Sequence, residues 1–130
     1  MASLVISERR SGTVVIVSLA GRLVPDQEDL LFRDCIDALV ERGVTSIVVD
    51  LHDVVLLDSG GIGVLVAKLH TLRSRGGDLR LARLTARTHR LLEITHLLTV
   101  FATYGSVQEA VESFGVTAQP LTHVHTRIAS

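Results

Sequence analysis

Apolar positions in this chain switch between two periods. Near the N-terminus, Leu4 to Ser7 and Thr13 to Leu19 read as strands, the second a β-branched run, Thr13-Val14-Val15-Ile16-Val17-Ser18-Leu19. Ser11-Gly12 between them is a turn signal and predicts a hairpin. Gly21 ends or bends the second strand. Pro25-Asp26 then opens a helix with Asp26, Glu28 and Asp29 in its first turn, where the helix dipole favours negative charge. Phe32, Cys35, Ile36, Leu39 and Val40 form one buried stripe at helical spacing, and Gly43 stops it. Ser46 to Leu51 is a near-continuous apolar strand, as expected at the centre of a sheet covered by helices. A second apolar stretch, Val54 to Leu57, leads into Asp58-Ser59.

A helix follows, with Ile62, Leu65, Val66, Leu69 and Leu72 as its stripe and Gly76-Gly77 as its close. Asp78 to Leu84 is another inner strand. Thr85 or Ala86 begins a helix to about Leu92, and Val100 to Thr103 is a short last strand. Ser106-Val107-Gln108-Glu109 is a capping box opening a final helix, whose buried face is Val107, Ala110, Val111 and Phe114. The pattern stops after Gly115. Residues 116–130, with Pro120 and two histidines, read as a mobile tail behind a single domain of residues 1–115. The order β-β-α-β-α-β-α-β-α predicts an α/β fold. It has a mixed sheet of about five strands, an N-terminal hairpin beside parallel strands, and about four helices.

Composition narrows the function classes. At 130 residues the chain fits one domain, large enough to bury a core without disulfides or metals. It is 47% hydrophobic with a mean hydropathy of +0.41, yet no window approaches the ~18 apolar residues of a membrane span. Residues Met1 to Arg10 lack the apolar core of a signal peptide, and Cys35 is the single cysteine, so the expected location is cytoplasmic, without membrane insertion. Cys35 lies on a buried helix face and reads as an inert core thiol. Net charge is −1, and the four aromatics, Phe32, Phe101, Tyr104 and Phe114, offer no platform for stacking bases, so nucleic-acid binding is not expected. Charge is nonetheless uneven. Asp26 to Asp58 holds nine acids against two arginines, and Lys68 to Arg90 holds seven basic residues against Asp78. These are solvated helix faces or, for Arg73 to Arg90, a contact for an acidic partner.

One segment carries candidate chemistry: Val48-Val49-Asp50-Leu51-His52-Asp53-Val54-Val55-Leu56-Leu57-Asp58-Ser59-Gly60-Gly61-Ile62-Gly63-Val64-Leu65. Asp58 or Ser59 can cap the helix that starts here. Gly60, Gly61 and Gly63 strip side chains from its first turn, at a cost of up to about 1 kcal/mol each relative to Ala. Close approach by another backbone, or access to Ser59, would account for that cost. A phosphate on Ser59 would sit at the positive end of a helix dipole and add about −1.5 to −2 charge.

With Leu51-x-Asp53 before it, the Asp58-Ser59-x-Gly61-Ile62-Gly63-Val64-Leu65 run resembles the signature of anti-sigma factor antagonists, members of the STAS domains. The resemblance spans roughly residues 4–114. It implies an antagonist that is not an enzyme and uses no cofactor. Unphosphorylated, it would bind an anti-sigma factor that is also a serine kinase of the histidine-kinase-like ATPase fold, freeing a sigma factor. The kinase would phosphorylate Ser59 and end the complex, and a PP2C-type phosphatase would reset it. The implied partner face is Asp58, Ser59, Gly60, Gly61, Ile62 and Gly63; a homodimer is left open. The sequence departs from the family where Gly60 replaces a Ser or Thr, and where Gly21-Arg22-Leu23-Val24 replaces Gly-Glu-Leu-Asp. The alternative is a STAS module of a lipid transport complex or a stress-signalling scaffold, independent of sigma factors.

Two decoys fall away. Asp58-Ser59-Gly60-Gly61 also resembles the nucleophile segment of chymotrypsin-like proteases, but the alternating helices and strands do not build the two barrels that a triad needs. His123-x-His125 lacks a third ligand for a metal. His70, His89 and His96 fall at scattered helical positions expected at the surface.

Overall fold

The computed structural model describes residues 4–24, 29–115 and 124–129, with Asp29 and 124–129 described in backbone only. The elements in chain order are β1 (Leu4–Ser11), β2 (Val14–Leu23), α1 (Asp29–Glu41), β3 (Ser46–Leu57), α2 (Ser59–Ser74), β4 (Asp78–Ala82), α3 (Ala86–Ile94), β5 (Thr103–Tyr104), α4 (Val107–Glu112) and β6 (Val124–Ala129). They build one mixed sheet of order β5-β4-β3-β2-β1-β6. β2, β3, β4 and β5 are mutually parallel, and β1 pairs antiparallel with both β2 and β6. The hairpin beside parallel strands and the four helices are therefore as the hydrophobic pattern predicts.

Each crossover from β2 to β5 adds its strand on the same side, so right-handed connections put α1, α2 and α3 on one face. The main core lies there. Phe32, Cys35, Ile36 and Leu39 of α1 and Ile62, Leu65, Leu69 and Leu72 of α2 pack with Leu92 of α3 onto Val15, Val17, Ile47, Val49, Leu79 and Leu81. On the other face a smaller cluster joins Ala110 and Val111 of α4 to Val14, Ile16, Val48 and Ala82. At six residues α4 covers only part of that face. The next register row is polar: Ser7 opposes Ser18, and Ser18 opposes Asp50.

Several boundaries differ from the sequence reading. β1 runs on to Ser11 and β2 to Leu23, because hairpin hydrogen bonds extend the pairing beyond the apolar run. Gly12 takes φ +62 in the tight turn between them. Gly21, at φ +105, bends β2 without ending it, beside an irregularity in its register with β3. The two apolar stretches of residues 46–57 form one twelve-residue strand. The strand expected at Val100 to Thr103 lies at Thr103–Tyr104, where Leu81 and Ala82 supply its partners. The helix opening at Pro25, Asp26 and Glu28 lies outside the described residues.

Within residues 116–130, read from the sequence as a mobile tail without a regular element, Val124–Ala129 forms β6. Val124–Ala129 pairs with β1 from Leu4 to Arg9. Residues 116–123 and 130 lie outside the described residues. An edge strand is recruited by the unpaired backbone groups of its neighbour, which a search for an apolar stripe does not weigh.

Candidate functional site

Strand β3 delivers the chain to the start of α2. Asp58 has extended backbone and is the N-cap: its Oδ1 accepts from Gly61 N–H at 2.9 Å, while its carbonyl accepts from Ile62 N–H at 3.0 Å. Of the two candidate caps, Asp58 takes the role. Ser59, the first residue of α2, is thereby left exposed, its hydroxyl without a hydrogen bond to any described residue. The Asp58 carboxylate is directed to a backbone N–H and not to an imidazole, contrary to what a hydrolase triad requires.

The glycines of this turn have different causes. A Cβ on Gly61 would stand 2.1 Å from the Leu23 carbonyl oxygen and 2.7 Å from Leu57 Cδ1. Gly61 is therefore what lets the end of β2 lie against the first turn of α2. Gly63 is exposed, and a Cβ there would meet nothing within 4 Å. The domain's own packing does not demand that glycine. Ile62 is 2% exposed and anchors the turn in the core.

The sequence matches the STAS domain model over residues 6–110. This chain belongs to the STAS domain family. Similar proteins include the anti-sigma F factor antagonist of Paenibacillus polymyxa, 26% identical over 103 residues, which span 79% of this chain and 88% of that protein. The anti-sigma-B factor antagonist of Bacillus subtilis is 35% identical over 81 residues, 62% of this chain and 72% of that one. The crystal structure of an anti-sigma factor antagonist from Mycobacterium paratuberculosis has the same fold, with a TM-score of 0.75 at 24% identity over 85% of this chain and 93% of that one.

In this STAS domain the strand leading to Ser59 also carries exposed apolar surface, Val55 at 65% and Leu56 at 38%, and Leu30 of α1 is 54% exposed. Arg22, in the segment that departs from the family pattern, is exposed and pairs in register with Leu56. Among the described residues no helix is long and apolar enough to cross a membrane.

The basic stretch is largely committed within the domain. Arg73 donates to Asp78 at 3.1 Å and to the Val100 carbonyl at 3.0 Å. Arg80 bonds Asp78 and Ser113 and stacks 3.9 Å from the centroid of Phe114. Arg75, Arg87 and Arg90 remain exposed, as do His70, His89 and His96. Cys35 is buried, as its helix face predicts. The side chains of His123 and His125 lie outside the described residues.

Sequence reasoning missed a polar cluster on the sheet face that α4 leaves open. Asp50, 3% exposed, accepts from Arg83 Nε at 3.0 Å and Nη2 at 2.7 Å. It also accepts from Ser18 Oγ at 3.4 Å and from the His52 backbone N–H at 3.2 Å. Hydrogen bonding to Asp50 holds the Arg83 guanidinium above its ordinary pKa, against the opposing effect of burial. Folding therefore keeps this contribution through the neutral range and loses it as pH rises through Arg83's raised pKa. An acid inside an apolar strand was the available signal, and the sheet register alone shows what it meets.

Proposed function

We propose that this STAS domain is an anti-sigma factor antagonist whose partner face is the first turn of α2, gated by phosphorylation of Ser59. The supporting observation is the exposed Ser59 hydroxyl, unbonded among the described residues, on a turn held by Asp58, with open space at Gly63. Unphosphorylated, that turn and the nearby apolar residues dock on an anti-sigma factor that is itself a serine kinase, and the sigma factor is released. The domain acts by binding and carries out no reaction of its own. Phosphoryl transfer from ATP on the kinase to Ser59 Oγ places a dianion at the helix N-terminus. The helix dipole and free N–H groups accommodate it without refolding. At the interface the same charge repels acidic partner groups, and each tenfold loss of affinity corresponds to about 1.4 kcal/mol. A PP2C-type phosphatase restores the binding form, in the cytoplasm. The curated relatives named anti-sigma factor antagonists support this reading.

The test is a paired capture from lysate of the source organism. It uses immobilised Ser59→Ala protein and protein enzymatically phosphorylated at Ser59, with retained chains identified by mass spectrometry. Recovery of a histidine-kinase-like ATPase by the Ala form and its loss with the phosphorylated form is expected. Equal retention of a transporter ATPase or a scaffold by both would sink the antagonist reading.

A further inference from the structure

The polar cluster on the open face surrounds a cavity of about 270 Å³ lined by Ser7, Arg9, Ser18, Asp50, Asp53 and Arg83. Its residues come from β1, β2, β3 and the residue just after β4, so four consecutive strands of the sheet converge on one point. Arg83 adopts φ +55, a left-handed conformation that a residue with a Cβ takes only when its surroundings enforce it. Its side chain reaches the Asp50 carboxylate on this face. The pair satisfies itself: both Asp50 oxygens accept from Arg83, with Ser18 and the His52 N–H completing the shell.

Among the described residues two charges of the lining have no ion-pair partner. Arg9 donates through Nη2 to Ser18 Oγ at 3.1 Å, but its Nε is buried without an acceptor among the described residues. A buried donor left in that state is destabilising. Asp53 is exposed and makes no hydrogen bond or ion pair among the described residues; it adds only a favourable field at Arg83. Two arginines and two aspartates give the lining a formal charge of zero. A multiply charged anion meets both carboxylates there, and a cation meets both guanidiniums. A ligand carrying one of each charge matches Arg9 with its anionic end and Asp53 with its cationic end. The volume lies just below the ~300–1,000 Å³ of drug-sized sites, which limits the ligand to a few heavy atoms beyond its two charged groups.

We propose that this cavity binds a small zwitterion of the α-amino-acid class, its carboxylate on Arg9 and the Ser7 hydroxyl and its ammonium on Asp53. The site is separate from Ser59, which sits at the start of a helix packed on the other face of the sheet, and it does not depend on the antagonist reading. An Arg–carboxylate pair is charge-assisted and directional, so it fixes the orientation of the ligand as well as its affinity.

The experiment is a titration of the full-length ¹⁵N-labelled protein with glycine, L-alanine and L-serine, and separately with acetate, methylammonium and inorganic phosphate. Arg Nε–Hε and backbone amide shifts are followed by NMR. The expected result is saturating shifts at Arg9 Nε–H and at the Ser7, Ser18 and Asp53 amides with at least one amino acid. That amino acid should bind at least tenfold tighter than acetate, methylammonium or phosphate. Arg9→Gln and Asp53→Asn should each weaken binding at least tenfold, and Ser59→Ala should leave it unchanged. Asp53 is exposed, so its variant tests the site even if Arg9→Gln does not fold. No saturating shift with any amino acid, or equal affinity for acetate or phosphate, overturns the proposal. So does unchanged affinity in Asp53→Asn.

Discussion

Gly61 and Gly63 stand two positions apart in one helical turn, and substitution should separate their roles. Ala at Gly61 drives a methyl group into the Leu23 carbonyl, a backbone atom that cannot swing away. Gly61→Ala is expected to lose about 1–3 kcal/mol, read as a lower urea midpoint. Ala at Gly63 meets nothing and gains helix propensity, so Gly63→Ala should unfold at equal or higher urea, by up to about 1 kcal/mol. If the first turn of α2 is the partner face, that same variant should bind the kinase more weakly despite its better stability. Full affinity in Gly63→Ala would remove Gly63 from the interface. Asp58→Ala loses the bond to Gly61 N–H and should cost about 1 kcal/mol, with Asp58→Asn recovering most of it.

At the scale of elements, the Asp50–Arg83 pair ties the middle of β3 to the end of β4. Its two halves are not equivalent. The Arg83 side chain is 39% exposed and stays hydrated without its partner, whereas the Asp50 side chain is 3% exposed and does not. Replacing the arginine should therefore be the more damaging change. Arg83→Leu is expected to lose on the order of 2–3 kcal/mol at neutral pH, and Asp50→Asn about 1 kcal/mol. Urea unfolding of both proteins decides it, and the reverse ranking would mean that the pair is not the anchor of this face. The periodic elements were the most legible from the sequence, because a helix that buries a stripe must repeat its apolar residues. Phe32, Cys35, Ile36, Leu39 and Val40 do so, and all are buried. The last parallel strand was misplaced by about three residues, since two residues of pairing with Leu81 and Ala82 leave no period to read.

Across the whole molecule the sheet ends on β6, which covers the outer edge of β1. A chain ending at Gly115 should keep the helices and β2 to β5 but expose that edge. Hydrogen exchange is expected to speed up at the β1 amides that face β6 while amides of β3 and β4 keep their protection. Unchanged exchange along β1 would mean that β6 adds no protection in solution.

Sequence alone determined the order of elements as far as α4, the hairpin, the helical core faces and the Ser59 segment, because each rests on contacts between residues close in the chain or on a local period. It also narrowed the cap to Asp58 or Ser59, since capping spans three residues, and the structure gives the role to Asp58. Tertiary structure decided the rest. Only the approach of Leu23 shows that Gly61 is a packing glycine and Gly63 is not. Only the sheet register brings Arg9, Ser18, Asp50 and Arg83 into one cluster, from four segments spread over seventy-five positions (residues 9–83). A side chain's chemistry is written in the sequence, but its partner across a sheet is set by strand order and pairing, which no local pattern encodes.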